Sequence, residues 1–189
     1  MNLLREYIRE LLTESAVHPK IMSMIDRLEK EEGGKVRINK YQVLVRDRQG
    51  KLLATVSYDP AGGMYGNCSG ASIVSFSEAE GGYGPLAYDI AIEATGGLAP
   101  DRTEVSAEAE AVWSRYESYR DDVKVDQLDI PEDYGEPQLT PDDPSDDCGQ
   151  TPAYDMYQDG WMVSPLSKKY SKLGTPVIDE LRKRGMIKE

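Results

Sequence analysis

The first thirty or so residues carry apolar side chains at the spacing of α-helices. Residues 2–14 alternate leucine, tyrosine and isoleucine with charges, which predicts an amphipathic helix at the N-terminus. The charges interrupt the apolar run, so it lacks the core of a signal peptide. A second helix is predicted from Pro19 to about Glu31, because proline suits the first helical turn and the Gly33-Gly34 pair stops the helix.

The middle of the chain changes to short runs rich in β-branched residues, which predict strands. The runs at 36–46 and 52–58 flank Asp47-Arg48-Gln49-Gly50 and predict a β-hairpin. The further predicted elements are a strand at 71–76, a helix at 85–94, a strand at 97–99, a helix at 107–119 capped by Ser106, and a last strand at 123–128. This order predicts an α+β fold with helices on a mostly antiparallel central sheet.

An acidic, proline-containing stretch precedes one last helix. Residues 129–160 predict a long loop, and Pro176 begins a helix that Gly185 ends. We therefore divide the chain into an amphipathic leader (1–14), a helix (15–34), a central α+β domain (35–128) and a loop-rich extension with one helix (129–189).

Charge excludes several classes of function. The net charge is −12, which argues against direct binding of nucleic-acid phosphates. No apolar run approaches the roughly 20 residues of a membrane span, so we expect a soluble protein and no membrane partner.

No lysine or arginine occurs between Asp126 and Asp159, which is typical of a solvated loop. Two sharper interpretations remain: an acidic inhibitor that imitates nucleic acid, and a cation site in Asp142-Asp143-Pro144-Ser145-Asp146-Asp147. That run lacks the spacing and glycine of a calcium loop, so no metal is expected.

Few residues carry nucleophilic or metal-binding chemistry. Cys68 and Cys148 are the only cysteines, too few for a zinc cage or a disulfide framework, and a reducing cytosol is the simpler compartment. We expect Cys68 to fill a small buried space, although a nucleophile is an alternative. His18 is the only histidine, which excludes catalytic triads and two-histidine metal sites that do not use it. We expect His18 to have a structural or helix-capping role.

A glycine turn joins the strand at 71–76 to the helix at 85–94. The sequence Glu80-Gly81-Gly82-Tyr83-Gly84 gives a strand, a turn and a helix start, a geometry in which backbone N–H groups can face an anion. The candidate donors are the N–H groups of Tyr83, Gly84 and Leu86, since Pro85 has none.

The segment from Val74 to Trp113 resembles the GNAT family of acyl-CoA-dependent N-acyltransferases, and within it the GNAT-like proteins of tailed phages. The family pattern (Gln/Arg)-x-x-Gly-x-Gly falls on Ala79 to Gly84, and the later pattern Asn-x-x-Ala-x-x-hydrophobic-Tyr falls on Ser106 to Trp113. The resemblance covers residues 36–128. It implies a GNAT-like sheet, acetyl-CoA held at Val74, Gly82, Tyr83, Gly84 and Leu86, and transfer of an acetyl group to an amine.

Two positions depart from the family pattern. Ala79, between Glu78 and Glu80, stands where the family has Gln or Arg, and Trp113 stands where the family has the tyrosine that serves as general acid. The strand at 71–76 also carries no Glu or Asp, although the family often has its base there. Within this resemblance Tyr116 is the candidate acid, and Glu78 or Asp101, acting through water, is the candidate base. A non-catalytic virion or host-interaction protein on the same fold is the second interpretation.

The leader resembles the cleaved head-targeting sequences of large tailed phages. The sequence Leu12-Thr13-Glu14 before Ser15 fits a Leu/Ile-x-Glu cleavage rule, as does Ile8-Arg9-Glu10. This resemblance implies a phage protein of the host cytoplasm, with the interior of the virion head as a second location. Its partners would then be acyl-CoA and an amine acceptor, or a host or virion protein.

Overall fold

The computed structural model describes residues 16–61, 68, 70–101, 104–129, 140, 142–143, 145–148 and 163–188. Within them the α-helices are α1 (Pro19–Arg27), α2 (Gly84–Thr95), α3 (Ala107–Tyr119) and α4 (Pro176–Lys183). A π-helix, Leu28–Glu32, continues α1, and a 3₁₀-helix spans Pro165–Ser167. The strands are β1 (Lys35–Ile38), β2 (Gln42–Arg46), β3 (Leu52–Asp59), β4 (Ser72–Ala79), β5 (Leu98–Ala99), β6 (Lys124–Gln127), β7 (Lys168–Ser171) and β8 (Ile187–Lys188). The predicted leader lies outside the described residues, as does most of the predicted loop at 129–160.

The described strands form one sheet in the order β6-β7-β5-β4-β3-β2-β1-β8. The neighbours β4 and β5 are parallel, as are β1 and β8. The other neighbouring pairs are antiparallel. The fold is therefore α+β, as predicted, with a mixed sheet whose pairings are mostly antiparallel. Side chains of all four α-helices and of the sheet share one buried apolar core.

The first described helix follows its sequence signals. His18 is the N-cap of α1, and its Nδ1 accepts a hydrogen bond from the backbone N–H of Lys20 at 3.3 Å. The predicted capping role of His18 is therefore confirmed. Ile21, Ile25 and Leu28 are buried on one face of the helical segment. Gly33, with φ of 56°, ends it in the left-handed conformation that glycine adopts readily.

The predicted strand at 36–46 is wrong in one respect, because it is two strands. The side chain of Asn39 accepts hydrogen bonds from the N–H groups of Tyr41 and Gln42 at 2.8 and 3.0 Å and turns the chain between β1 and β2. Such an Asx turn reverses the chain without any glycine. β1 and β2 then pair antiparallel.

Two strands near the C-terminus were not predicted. β7 inserts between β5 and β6, and Tyr170 at its centre is fully buried. β8 pairs parallel with β1 at the opposite edge of the sheet. The predicted strand at 123–128 is confirmed as β6 but is not the last one. No described helix is long and apolar enough to cross a bilayer.

α2 lies at the centre of the core. Every residue from Leu86 to Glu93 is buried. Two of these eight residues, Asp89 and Glu93, are acidic, so the helix carries carboxylates into the apolar interior. On α3, Trp113 packs its ring 4.8 Å from the ring of Tyr170 and 4.9 Å from that of Tyr88. These aromatic contacts join α2, α3 and β7.

Candidate functional site

A cleft follows one edge of β4. β4 pairs with β3 from Ile73 to Ala79, but pairs with β5 only at Ser72 and Ile73. Among the described strands, none pairs with this edge beyond Ile73. A cavity of about 390 Å³ lies there, between residues 74–77 of β4 and the start of α3. The backbone of β4 is therefore accessible to an extended ligand at this edge.

The cleft contains a hydroxyl pair and a carboxylate. Tyr88, on α2, donates a hydrogen bond from its hydroxyl to the Ser77 Oγ at 3.0 Å. Burial raises the pKa of Tyr88, and the charge of Asp101 raises it further, although the bond to Ser77 opposes this. Asp101 also lines the cleft, and its Oδ1 accepts the N–H of Glu104 at 3.3 Å. The cleft thus holds a proton donor and a proton acceptor.

The glycine turn is closed on one side by Arg27 of α1. Gly81 and Gly82 have φ of 58° and 79°. Glycine adopts this left-handed conformation readily because it has no Cβ. Arg27 donates to the carbonyl of Gly81 at 2.5 Å and to the hydroxyl of Tyr83 at 3.0 Å. The N–H of Tyr83 donates back to the carbonyl of Glu80 at 3.2 Å. One of the predicted anion donors is therefore already used within the turn.

The structure disperses the residues predicted to bind acetyl-CoA. Val74 lines the cleft. Tyr83 and Leu86 are buried in the core, at 2% and 0% exposure. Gly82 is exposed in the turn, and Gly84 begins α2.

Glu78, the predicted base, is exposed on β4 and does not line the cleft. It pairs with Thr55 of β3 in the sheet register.

Tyr116, the predicted acid, points away from this cleft. Its hydroxyl donates to Asp89 Oδ1 at 2.6 Å and contacts the carbonyl of Pro85 at 3.1 Å. Burial, with the charge of Asp89, raises the pKa of Tyr116 well above its ordinary value. The structure therefore places Tyr116 in a buried ionic cluster rather than beside Val74.

This ionic cluster comprises Asp89, Glu93, Arg120, Asp122 and Lys172. Arg120 makes a bidentate contact with Asp89 at 3.1 and 2.7 Å. Arg120 also bonds Asp122 at 2.6 and 2.8 Å. Lys172 lies 2.6 Å from Asp89, 3.3 Å from Glu93 and 3.3 Å from Asp122, with only 1% of its side chain exposed. The cluster ties α2 to the end of α3 and to the segment after β7.

The ionic cluster shifts the titration of its members. Burial opposes the charge of Lys172, but Asp89 and Glu93 outweigh burial and raise the pKa of Lys172. Burial raises the pKa of Glu93 despite Lys172. Glu93 also accepts the N–H groups of Val177 and Ile178 at 3.1 and 2.9 Å, so it caps α4. These contacts give the cluster a structural role.

Sequence reasoning missed the ionic cluster. Its one local signal was the pair Asp89 and Glu93, four residues apart in an otherwise apolar helix. Lys172 lies in a region for which no element was predicted. The partners come from distant parts of the chain, so the pattern along the sequence did not show the pairing.

A second cavity, of about 370 Å³, lies between the starts of α1 and α2 and the outer part of α3. Its apolar lining includes Ile21 and Met24. The ionisable side chains that line it other than tyrosine are basic, namely His18, Lys20, Arg115 and Arg120. Burial and the neighbouring charge of Arg120 lower the pKa of His18. The glycine turn lines neither cavity.

The two cysteines are paired in the structure. Cys68 and Cys148 form a disulfide across a sequence separation of 80 residues. The expectation that Cys68 is buried is confirmed, at 1% exposure, but its neighbour is the other sulfur. The alternative of a free nucleophile is wrong for this state, because a disulfide sulfur carries no thiolate.

The acidic run that contains Cys148 is divided by the fold. Asp142 and Asp143 are exposed. Asp146 and Asp147 instead turn toward Asp129, which follows β6. Asp129 was not a candidate in the sequence, because it lies seventeen or more residues away from these two.

Comparison with protein-family models, with curated proteins and with solved structures finds no match for this chain.

Proposed function

We propose that this protein is a divergent, GNAT-like N-acyltransferase of phage type that binds acyl-CoA and transfers an acetyl group to an amine. The observation that carries the proposal is the edge of β4 beyond Ile73, which no described strand covers and which faces a cleft of about 390 Å³. The sequence resemblance places the acyl-CoA arm beside Val74, on this same edge. An extended arm can join such an edge through main-chain hydrogen bonds, as an added strand would.

The start of α2 fits the phosphate end of acyl-CoA in part. The first bond within α2 runs from the N–H of Ala87 to the carbonyl of Tyr83 at 3.1 Å. The N–H groups of Gly84 and Leu86 precede that bond and belong to the helix end that favours anions. The N–H of Tyr83 does not fit this role, because the turn uses it.

Two residues of the cleft are placed for proton transfer. Acetyl transfer needs a group that accepts a proton from the attacking amine and a group that donates one to the departing sulfur. We assign acceptance to the carboxylate of Asp101 and donation to the hydroxyl of Tyr88. The raised pKa of Tyr88 keeps that hydroxyl protonated near neutral pH. Both residues line the cleft, whereas Glu78 and Tyr116 do not.

Calorimetric titration with acetyl-CoA tests the proposal. Ala109 lines the cleft on α3, so Ala109→Trp should fill the cleft and abolish binding. Ala111→Trp is the matched control, because Ala111 is exposed on the same helix and does not line the cleft. Tyr88→Phe should retain acetyl-CoA binding but lower the rate of transfer. No binding of acetyl-CoA to the wild-type protein at millimolar concentration would remove the enzyme proposal.

A non-catalytic interaction protein on the same fold is the second candidate. It is favoured by Arg27, which closes the glycine turn, and by the acidic Glu78 and Glu80, which are exposed beside that turn. Both carboxylates would repel a diphosphate. In the inhibitor form of this candidate, replacing Asp142, Asp143, Asp146 and Asp147 together by Asn should abolish binding to a host or virion protein. Acetyl-CoA binding by the wild type and not by Ala109→Trp would decide for the enzyme.

The proposed location follows from the leader and not from the fold. We place the protein in the host cytoplasm and, after cleavage behind Glu14, in the interior of the virion head. Intact-mass measurement of protein extracted from virions tests this, since the processed chain should begin at Ser15. Full-length protein in mature particles would contradict head targeting.

A further inference from the structure

Three carboxylates converge where the chain leaves β6 and meets the acidic run before Cys148. Asp129, Asp146 and Asp147 each offer one oxygen, and these oxygens lie within 4.8 Å of one another. Asp129 is only 1% exposed, and the other two are half-buried. Like charges held this close repel one another, and a bound cation would relieve that repulsion.

One oxygen of the Asp146 carboxylate has no hydrogen-bond donor among the described residues. Oδ1 of Asp146 is buried from solvent and has no hydrogen-bond partner. The other oxygen of Asp146 contacts the Oγ1 of Thr140. That same Oγ1 lies 3.1 Å from Asp129 Oδ2. The N–H of Thr140 donates to that same oxygen of Asp129 at 2.8 Å. The hydroxyl can therefore donate its one proton to Asp146 while Asp129 keeps a donor, and Oδ1 of Asp146 is the oxygen left without one. A buried carboxylate oxygen without a donor is costly, and a bound cation would remove that cost.

The main chain holds the three carboxylates together. The N–H of Asp129 donates to the carbonyl of Asp146 at 2.8 Å, and the N–H of Cys148 donates to the carbonyl of Asp129 at 2.9 Å. The disulfide then fixes Cys148, the residue after Asp147, to Cys68. The run also packs on Gly70, where an added Cβ would lie 1.8 Å from the carbonyl oxygen of Ser145. The convergence is therefore part of the packed structure.

We propose that Asp129, Asp146 and Asp147 bind a calcium ion. All the converging ligand atoms are carboxylate oxygens, which suit hard divalent cations rather than zinc or copper. Calcium accepts irregular oxygen geometry and exchanges its water readily, whereas magnesium prefers to keep several waters in an octahedral shell. The site is independent of the proposed acyl transfer.

Calcium titration of the full chain tests the site. Protein freed of metal with EDTA should bind one equivalent of calcium by calorimetry and melt at a higher temperature when calcium is added. Asp146→Asn should weaken calcium binding roughly tenfold or more, because it removes one of three charged ligands. Asp142→Asn is the matched control, since it makes the same charge change on an exposed residue of the same run. The proposal would be overturned if the wild type bound no calcium at millimolar concentration, or if Asp146→Asn and Asp142→Asn lost calcium affinity equally.

A second measurement separates ligation from folding. In EDTA, Asp146→Asn should be at least as stable as the wild type, because it removes one of three neighbouring negative charges, while its response to calcium is lost. An amide NMR titration of the wild type then locates the ion without any substitution. Calcium should shift the resonances of Asp129, Asp146 and Cys148. Shifts confined to Asp142 and Asp143 would contradict the site and show only screening of surface charge.

Discussion

Lys172 donates a 2.6 Å hydrogen bond to Asp89, and neither side chain has more than 1% of its surface exposed. The two residues are 83 positions apart in the sequence. Asp89 lies in the middle of α2, which the sheet and the other helices surround, and Lys172 follows β7. Their contact, shared with Arg120, fixes the C-terminal part of the chain onto the central helix.

Asp89→Asn should destabilise the protein by about 3–5 kcal/mol, because it leaves the buried charges of Lys172 and Arg120 without their main partner. Urea unfolding followed by circular dichroism measures the loss. Asp121→Asn is the control, since Asp121 is exposed near the same cluster. A loss below about 1 kcal/mol for Asp89→Asn, the range of exposed ion pairs, would show that the cluster is not tightly formed in solution.

Tyr116→Phe should lower the free energy of unfolding by only about 1 kcal/mol, because Asp89 keeps its bonds to Arg120 and Lys172 when the hydroxyl is removed. The same substitution distinguishes two proton donors for the proposed reaction. The rate of acetyl transfer should fall in Tyr88→Phe and stay unchanged in Tyr116→Phe. The reverse pattern would restore Tyr116 as the acid that the sequence resemblance implies.

Glu93 and Asp122 should affect stability in opposite directions as pH changes. The pKa of Glu93 is raised above 4.5, so its contribution is present below that pH and is lost as pH rises through the folded-state pKa. Burial opposes the charge of Asp122, but Arg120 and Lys172 together outweigh burial and hold the pKa of Asp122 below 3.8. Its contribution is present above pH 3.8 and is lost as pH falls through the lower folded-state pKa.

The unfolding free energy measured across a series of pH values should show both effects. Glu93→Gln should remove the decline above pH 4.5, and Asp122→Asn should remove the decline below pH 3.8. Identical profiles in the wild type and both variants would contradict the assigned shifts.

Arg27→Ala should destabilise the protein by about 1–2 kcal/mol, through loss of two hydrogen bonds and of a guanidinium stacked on an aromatic ring. The guanidinium carbon lies 4.2 Å from the centre of the Tyr83 ring. Arg37→Ala, an exposed position on β1, is the control. If the proposed phosphate-binding role of the turn is right, Arg27→Ala should also change the affinity for acetyl-CoA. An unchanged affinity would favour the non-catalytic interpretation.

Reduction of the disulfide should lower the unfolding free energy by about 2–4 kcal/mol, because it frees a long loop in the unfolded chain. In protein purified under oxidising conditions, mass spectrometry after alkylation without a reductant should find both cysteines unlabelled. The double variant Cys68→Ser with Cys148→Ser should match the reduced protein in stability. Full alkylation of the native protein would show that the sulfurs are not bonded.

Sequence patterns predicted the elements whose signals are local. The helix after Ser106 is a clear case, since the Ser106 Oγ accepts the N–H of Ala109 at 3.2 Å as an N-cap does. α4, with Val177, Ile178 and Leu181 buried, is another. The turn at Asn39 was not predicted, because it lies within a run of strand-forming residues and is formed by a side chain rather than by glycine. β7 was not predicted, because a four-residue strand with two lysines shows no alternation of apolar and polar residues. Its pairing with β5 and β6 determines its conformation.

The candidate sites were less predictable than the fold. Val74 became a candidate only through the family resemblance, and the structure puts it in the cleft beside β4. Tyr88 and Asp101 enter the same cleft from two different elements, which no spacing along the chain shows. The carboxylates of Asp129 and Asp146 meet for the same reason, since the contact depends on the path of the chain between them.

The oxidation state of Cys68 and Cys148 depends on the compartment that the protein has occupied. Thiols 80 residues apart remain separate in a reducing compartment and join in an oxidising one. A molecule that stays in a cytosol should carry two thiols, and one that has left should carry none. The fraction of cysteine that an alkylating reagent labels therefore measures how much of the protein has stayed in a reducing compartment. This measurement requires no knowledge of an activity or a partner.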